Sequence, residues 1–143
     1  MRFILASASP RRKELLEQIK KDLHEFRVDH DVYTSEKAIK ARGSVEEVLK
    51  KLEPYCYQED GALFLNTTKN GDDKDRVLVK SDGSYTYLLP DIAYHADKYQ
   101  RGYDYFIDLF GADHHGYITR LKASISDLGY DSEKLTSSNG EAL

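Results

Sequence analysis

Apolar residues recur along this chain in two alternating periods. Phe3 to Ala6 form a short apolar run, expected as a buried strand, and Ser7-Ala8-Ser9 turns the chain. Pro10 suits the first helical position, with Ser9 as its N-cap. Leu15, Leu16, Ile19, Leu23 and Phe26 then follow at helical spacing, which predicts an amphipathic helix ending near Glu25. Phe26, Val28 and Val32 alternate with Arg27 and Asp29, so a strand is expected over residues 26–33. Ser44-Val45-Glu46-Glu47 has the form of a capping box, and Val45, Val48, Leu49 and Leu52 make the face of a second helix stopped by Pro54.

Beyond Pro54 the period shortens. Tyr55–Glu59, Ala62–Thr67, Val77–Lys80 and Tyr85–Leu88 read as strands of an antiparallel meander. Asp60-Gly61, Asn70-Gly71 and Asp82-Gly83 can supply the positive φ that tight turns require. Pro90 opens a third helix running to about Gln100. A strand over Tyr105–Phe110, a tight loop at Gly111–Asp113 and a fourth helix over about His115–Leu128 follow. Tyr117, Ile118, Leu121, Ile125 and Leu128 point that helix inward, and Gly129 caps it. Residues 136–143 are polar and expected to fray. This order predicts an α/β fold: a partial Rossmann-like doubly wound sheet with an inserted antiparallel β-meander.

Composition narrows the function classes. The chain has 143 residues, enough for one compact domain. Its net charge is −4, so it lacks the basic excess of a dedicated nucleic-acid binder, and any RNA contact would need a local patch. Cys56 is the one cysteine, which excludes an intramolecular disulfide. No apolar run approaches the ~20 residues of a membrane span, and the opening run is too short for a signal peptide. A cytoplasmic protein with no membrane partner is expected.

Four segments carry candidate chemistry. In Tyr85-Thr86-Tyr87-Leu88-Leu89-Pro90-Asp91, Tyr87 ends a predicted strand and Asp91 stands in the first turn of a helix, where free N–H groups favour a carboxylate. A phenol beside an ionised Asp could take a planar guanidinium. The plainer alternative is that Asp91 completes the helix start while Tyr87 packs. In Gly111-Ala112-Asp113-His114-His115-Gly116-Tyr117, a glycine-led loop lies between strand and helix, where doubly wound sheets bind nucleotides. There Asp113 could hold a ribose hydroxyl, or simply cap the helix. Asp113, His114, His115 and His95 could instead serve zinc, although adjacent histidines diverge on a helix. Gly71-Asp72-Asp73-Lys74-Asp75-Arg76 reads as a solvated hairpin tip. Ser7-Ala8-Ser9-Pro10-Arg11-Arg12 could cradle phosphate at a helix start, or be a well-capped helix with a basic first turn.

Taken together, the run from Asp60-Gly61-Ala62-Leu63-Phe64 through Gly71–Lys80 and Ser81–His95 closely resembles bacterial class I arginine–tRNA ligases. Gly111–Ile118 followed by Arg120-Leu121-Lys122 does so too, as do Phe26-Arg27-Val28-Asp29 and Val45–Leu49, so the resemblance covers about residues 18–135. It implies part of a catalytic core in which the meander belongs to an insertion at about residues 26–89. It also implies that Tyr87 and Asp91 contact the arginine guanidinium, that His114 lies by the amino-acid pocket, and that Gly111 and Asp113 lie near the nucleotide. The family reaction activates arginine with ATP, with Mg, and passes it to tRNA; no permanently bound cofactor is implied. The HIGH-type and KMSKS-type motifs that hold the ATP phosphates in this family are absent from the 143 residues, Asn70 replaces a usual aromatic residue, and Thr119 a usual proline. Phosphate stabilisation is the main catalytic contribution in such a step, so the chain alone is expected to be inactive.

Residues 1–19 are similar to the start of Maf-type nucleotide pyrophosphatases. That resemblance implies a triphosphate site lined by Ser7, Ser9, Arg11 and Arg12, although the later acidic and lysine motifs of the family are missing. A pyrophosphatase and a non-catalytic remnant are therefore the alternative expectations. No resident metal is expected.

Overall fold

The computed structural model describes residues 10–110 and 116–138. Five α-helices and five strands are formed by these residues: α1 (Pro10–Glu25), α2 (Glu36–Ala41), α3 (Ser44–Leu52), β1 (Cys56–Glu59), β2 (Ala62–Leu65), β3 (Arg76–Val79), α4 (Leu88–Gln100), β4 (Phe106–Leu109), α5 (Tyr117–Asp127) and β5 (Leu135–Ser138). The fold is mixed α/β with two small sheets. The expected strand over Phe3–Ala6 lies outside the described residues.

The predicted first helix forms, but the strand expected after it does not. Arg27 takes φ 60°. Its N–H donates to His24 O at 2.8 Å, and the Val28 N–H donates to Leu23 O at 2.9 Å. This pair of bonds is a Schellman closure. It consumes the amides that a strand would offer a neighbour and turns the chain away from α1. Among the described residues the apolar stripe of α1 is not part of the buried core: Leu16, Ile19 and Leu23 are half-buried, whereas Leu15 and Phe26 are exposed.

Six residues of α2 follow, too short to announce themselves by periodicity. Ser35 caps them, its hydroxyl accepting from the Ala38 N–H at 3.4 Å, and Ile39 plugs into the core. At α3 the expected capping box is not made. Gly43, at φ 74°, is the N-cap, and the Glu47 N–H donates to Gly43 O. Ser44 thus sits inside the helix, while Val45, Val48 and Leu52 are buried as the apolar spacing predicts.

The meander forms with strand order β1-β2-β3, both pairs antiparallel. Asp60 and Gly61 make the first turn at φ 49° and 78°, so Cys56 pairs with Leu65 and Glu59 with Ala62. The positive φ at both positions matches the right-handed strand twist that two-residue hairpins require. A register irregularity between Leu63 and Phe64 bends β2 against β3. The expected fourth strand reduces to one bridge, Val79 with Tyr85. Helix α4 begins at Leu88, two residues before Pro90, because the first helical amides have no intrahelical acceptor to lose.

Helix α4 is the centre of the molecule, with Leu88 to Ala96 buried throughout. It packs on α2, α3, α5 and β3. Val45, Leu52, Leu65, Leu78, Leu89, Ile92, Leu121 and Leu135 are fully or almost fully enclosed in one cluster. On the far side β4 and β5 pair in parallel, Phe106 with Leu135 through Leu109 with Ser138, and α5 lies between them in sequence. Thr136, Ser137 and Ser138 therefore belong to a strand rather than to a frayed tail. Residues 139–143 lie outside the described residues.

Candidate functional site

The first turn of α4 carries a carboxylate to the edge of an open cleft. Asp91 is only 6% exposed, and Tyr87, the residue that precedes the helix, is 95% exposed. The two are one helical turn apart and line one open cavity of about 820 Å³. Phe110 and Tyr117 line it too. Phe64 and Arg76, from β2 and β3, close its meander side.

Tyr117, at the start of α5, donates its hydroxyl to Asp91 Oδ2 at 2.6 Å. Its ring meets Phe110 edge to face at 5.7 Å, and the Arg120 guanidinium lies over it, 5.1 Å from the centroid. Asp91 Oδ1 stands 3.6 Å from His95 Nδ1, one turn further along α4. That ring is fully buried. Its Nδ1 lies 2.8 Å from the Asp91 carbonyl oxygen, and its Nε2 lies 2.6 Å from Asp108 Oδ2 on β4. Lys98 donates to the other Asp108 oxygen at 2.5 Å. Burial alone would raise the Asp108 carboxyl. The hydrogen bond and charge of His95 and the Lys98 ammonium override it and hold the group at about 2. Lys98 and Asp108 also line a second cavity of about 620 Å³, together with His30, Tyr94 and Phe110.

Of the residues singled out from sequence, Tyr87 and Asp91 are thus brought to one cavity. Gly111, Asp113 and His114 lie outside the described residues, as do Ser7 and Ser9. Arg11 is exposed at the start of α1, and the side chain of Arg12 is outside the described set. His95, considered from sequence only as a zinc ligand, is committed to two hydrogen bonds. Among the described residues no group of three or more His, Cys, Asp or Glu side chains could hold a metal ion. Tyr117 and Asp108 were not foreseen as site residues. The Asp91–His95 spacing of one helical turn was the signal available for one of the links.

The hairpin tip at Gly71–Arg76 is also more than solvated surface. Asp72 is 8% exposed and takes two bonds from Arg76, Nε to Oδ2 at 2.7 Å and a terminal nitrogen to Oδ1 at 2.8 Å. Asp73 pairs with the same guanidinium. Burial opposes ionisation of Asp72, but the Arg76 fork prevails and its carboxyl falls well below the usual range. The fork fixes Arg76 as a wall of the cavity.

With this geometry in view, the catalytic-domain model of the class I tRNA synthetases (R) matches residues 8–139. The chain belongs to this family. It is 57% identical over 122 residues to an arginine–tRNA ligase of Geobacillus kaustophilus, covering 84% of this chain and 22% of the relative. An arginine–tRNA ligase of Staphylococcus aureus is 56% identical over 120 residues, covering 82% and 22% respectively. In three dimensions the chain superposes on a structure reported for an arginyl tRNA synthetase of Campylobacter jejuni with TM-score 0.83 and 38% identity, covering 90% of this chain and 28% of that one. The arginyl-tRNA synthetase of Thermus thermophilus, at TM-score 0.66 and 18% identity, shares the fold. The chain spans about a fifth of the length of these curated relatives. The match begins at residue 8, inside the segment that resembles Maf-type enzymes, and these relatives lend nothing to the pyrophosphatase reading.

Proposed function

We propose that this chain is the portion of an arginine–tRNA ligase core that receives the substrate guanidinium, with Asp91 as its acceptor and Tyr87 beside it. The observation that carries this reading is the Asp91 carboxylate, buried in a helix first turn and aligned by the Tyr117 hydroxyl, yet opening on the cavity that Tyr87 lines. An ionised carboxylate is the acceptor that suits a planar, two-point donor. By the family resemblance His114 is the third substrate contact, and Gly111 and Asp113 are the nucleotide-binding residues. The parallel β4–α5–β5 crossover supports reading the C-terminal half as part of a doubly wound sheet, with the meander as an insertion into it. Arginine, ATP with Mg and tRNA are the partners this reading carries, in a cytoplasmic setting. The described helices include none long and apolar enough to cross a membrane.

The 143-residue chain binds arginine but does not form the adenylate, because it carries no HIGH-type or KMSKS-type sequence to stabilise the phosphates. Calorimetric titration tests both halves. Arginine binds the unaltered chain and Asp91→Asn abolishes the heat, whereas lysine, lacking the planar fork, gives none in either. Arginine-dependent ATP–pyrophosphate exchange stays at background. Equal arginine heats from the two proteins would overturn the pocket, and measurable exchange would overturn the inactivity.

A further inference from the structure

We propose that His95 is a buried imidazolium that positions the Asp91 carboxylate for a planar cation, a role that rests on the guanidinium-pocket reading above. The argument begins with what each ring nitrogen faces. Nδ1 lies 2.8 Å from the main-chain oxygen of Asp91, and a carbonyl only accepts. Nε2 lies 2.6 Å from Asp108 Oδ2, and the other oxygen of that carboxylate takes the Lys98 ammonium. An ionised carboxylate bonded on one side to an ammonium has no proton to give. Both ring nitrogens must therefore carry hydrogen, and an imidazole with two N–H groups is a cation.

Burial makes this binding. His95 has no exposed surface, so water cannot replace either acceptor. A buried charge persists only when paired and hydrogen-bonded. Among the described residues Asp108 from β4 and Asp91 from α4 are the anions beside it, Lys98 from α4 is the second cation, and Tyr94 meets the ring at a near-perpendicular angle, 5.7 Å between centroids. The low carboxyl value of Asp108 agrees with a cation on its Nε2 side.

The consequence for Asp91 is orientation. Oδ2 is taken by the Tyr117 hydroxyl at 2.6 Å, and Oδ1 stands 3.6 Å from the charged ring. The two contacts approach different oxygens and so fix the plane of the carboxylate, which lines the cavity. Two parallel acceptors held in one plane fit the fork of a guanidinium and reward the single point charge of an ammonium far less. His95 does not touch the substrate in this arrangement. It is a positioning residue acting through Asp91.

Nitrogen NMR of the 143-residue chain with labelled histidine tests the proposal, with His95→Gln used to assign the ring. At pH 7.5 both His95 nitrogens are expected at imidazolium positions, each with a slowly exchanging proton and without arginine present. Asp108→Asn, which keeps the shape of the site, converts the ring to the singly protonated form and weakens arginine binding about tenfold by calorimetry. A bare nitrogen on His95 in the unaltered chain overturns the proposal. So does an Asp108→Asn protein that neutralises the ring yet binds arginine as tightly as before. An imidazolium signature in an unaltered chain that binds no arginine overturns the positioning role through the pocket reading on which it rests and leaves the ring's charge established.

Discussion

The Tyr117 hydroxyl meets Asp91 Oδ2 at 2.6 Å, joining the first turns of two helices through residues 26 apart in sequence. The bond ties α5 to α4 at the rim of the cavity, and it aligns the carboxylate before any ligand arrives. Removing the hydroxyl alone isolates that contribution. Tyr117→Phe keeps the ring contact with Phe110 and loses one hydrogen bond to a charged group, which costs roughly 1.5–3 kcal/mol. Arginine affinity is expected to fall by about ten- to a hundredfold. Circular dichroism stays unchanged, and titration calorimetry reads the loss.

Acid should loosen the β4 side of the molecule in a defined window. Asp108 is held at about 2 against its ordinary value of 3.8, so the folded state binds this proton more weakly than the unfolded chain. A depressed carboxyl stabilises the fold above the unfolded value and loses that contribution as pH falls through the folded one. Asp72, Asp75 and Asp82 are shifted in the same direction. Melting temperature is therefore expected to be flat between about pH 6 and about pH 4 and to drop steeply toward about pH 2. Asp108→Asn lowers the plateau and shallows the slope, which thermal melts at a series of pH values would show.

At the meander tip, Arg76 and Asp72 bond through two parallel contacts with little solvent access. Breaking a pair of this kind from one side leaves a poorly solvated charge and costs about 3 kcal/mol. Asp72→Asn should lower the denaturant midpoint by a corresponding amount without altering the unfolding slope. It should also free Arg76 to move, so a smaller loss of arginine affinity accompanies it. An unchanged midpoint would mean that the guanidinium finds other acceptors.

Cys56 is half-buried, and its thiol donates to Leu52 O at 3.2 Å. Burial, reinforced by the Asp127 and Glu53 carboxylates, pushes it up to about 11. Because the thiolate is the reactive form, alkylation by iodoacetamide at pH 8 should run at least about a hundredfold slower than for a free thiol. Addition of denaturant restores the ordinary rate, and mass spectrometry follows both.

Much of this architecture is legible locally. The spacing of Val45, Val48 and Leu52 marks α3, and the paired turns mark the meander, because each pattern spans only a few residues. Tyr87 and Asp91 are legible together for the same reason: they lie one turn apart. What escaped reading depends on distant partners or on backbone handedness. Arg27 adopts a left-handed conformation that its side chain does not announce, and the alternating residues after it then lack a strand to join. Thr136–Ser138 read as a polar tail, yet they gain order from backbone pairing with β4, to which side-chain polarity is indifferent. Asp108 acquires its meaning only when β4 comes to rest on α4 beside His95.

The Asn70-Gly71 turn has a consequence for chemical ageing. An asparagine before glycine ordinarily deamidates readily, since the glycine nitrogen reaches the side-chain carbonyl carbon with little hindrance. In this fold the Asn70 amide is pinned to Ala123 O at 3.1 Å and Asp127 Oδ1 at 2.9 Å, while the Gly71 nitrogen donates to Thr68 O. Ring closure to the succinimide would have to break both restraints. Peptide mapping after weeks at neutral pH should find this step intact in the folded chain and converted in urea, so the turn records in its own covalent chemistry how long the meander has spent detached from α5.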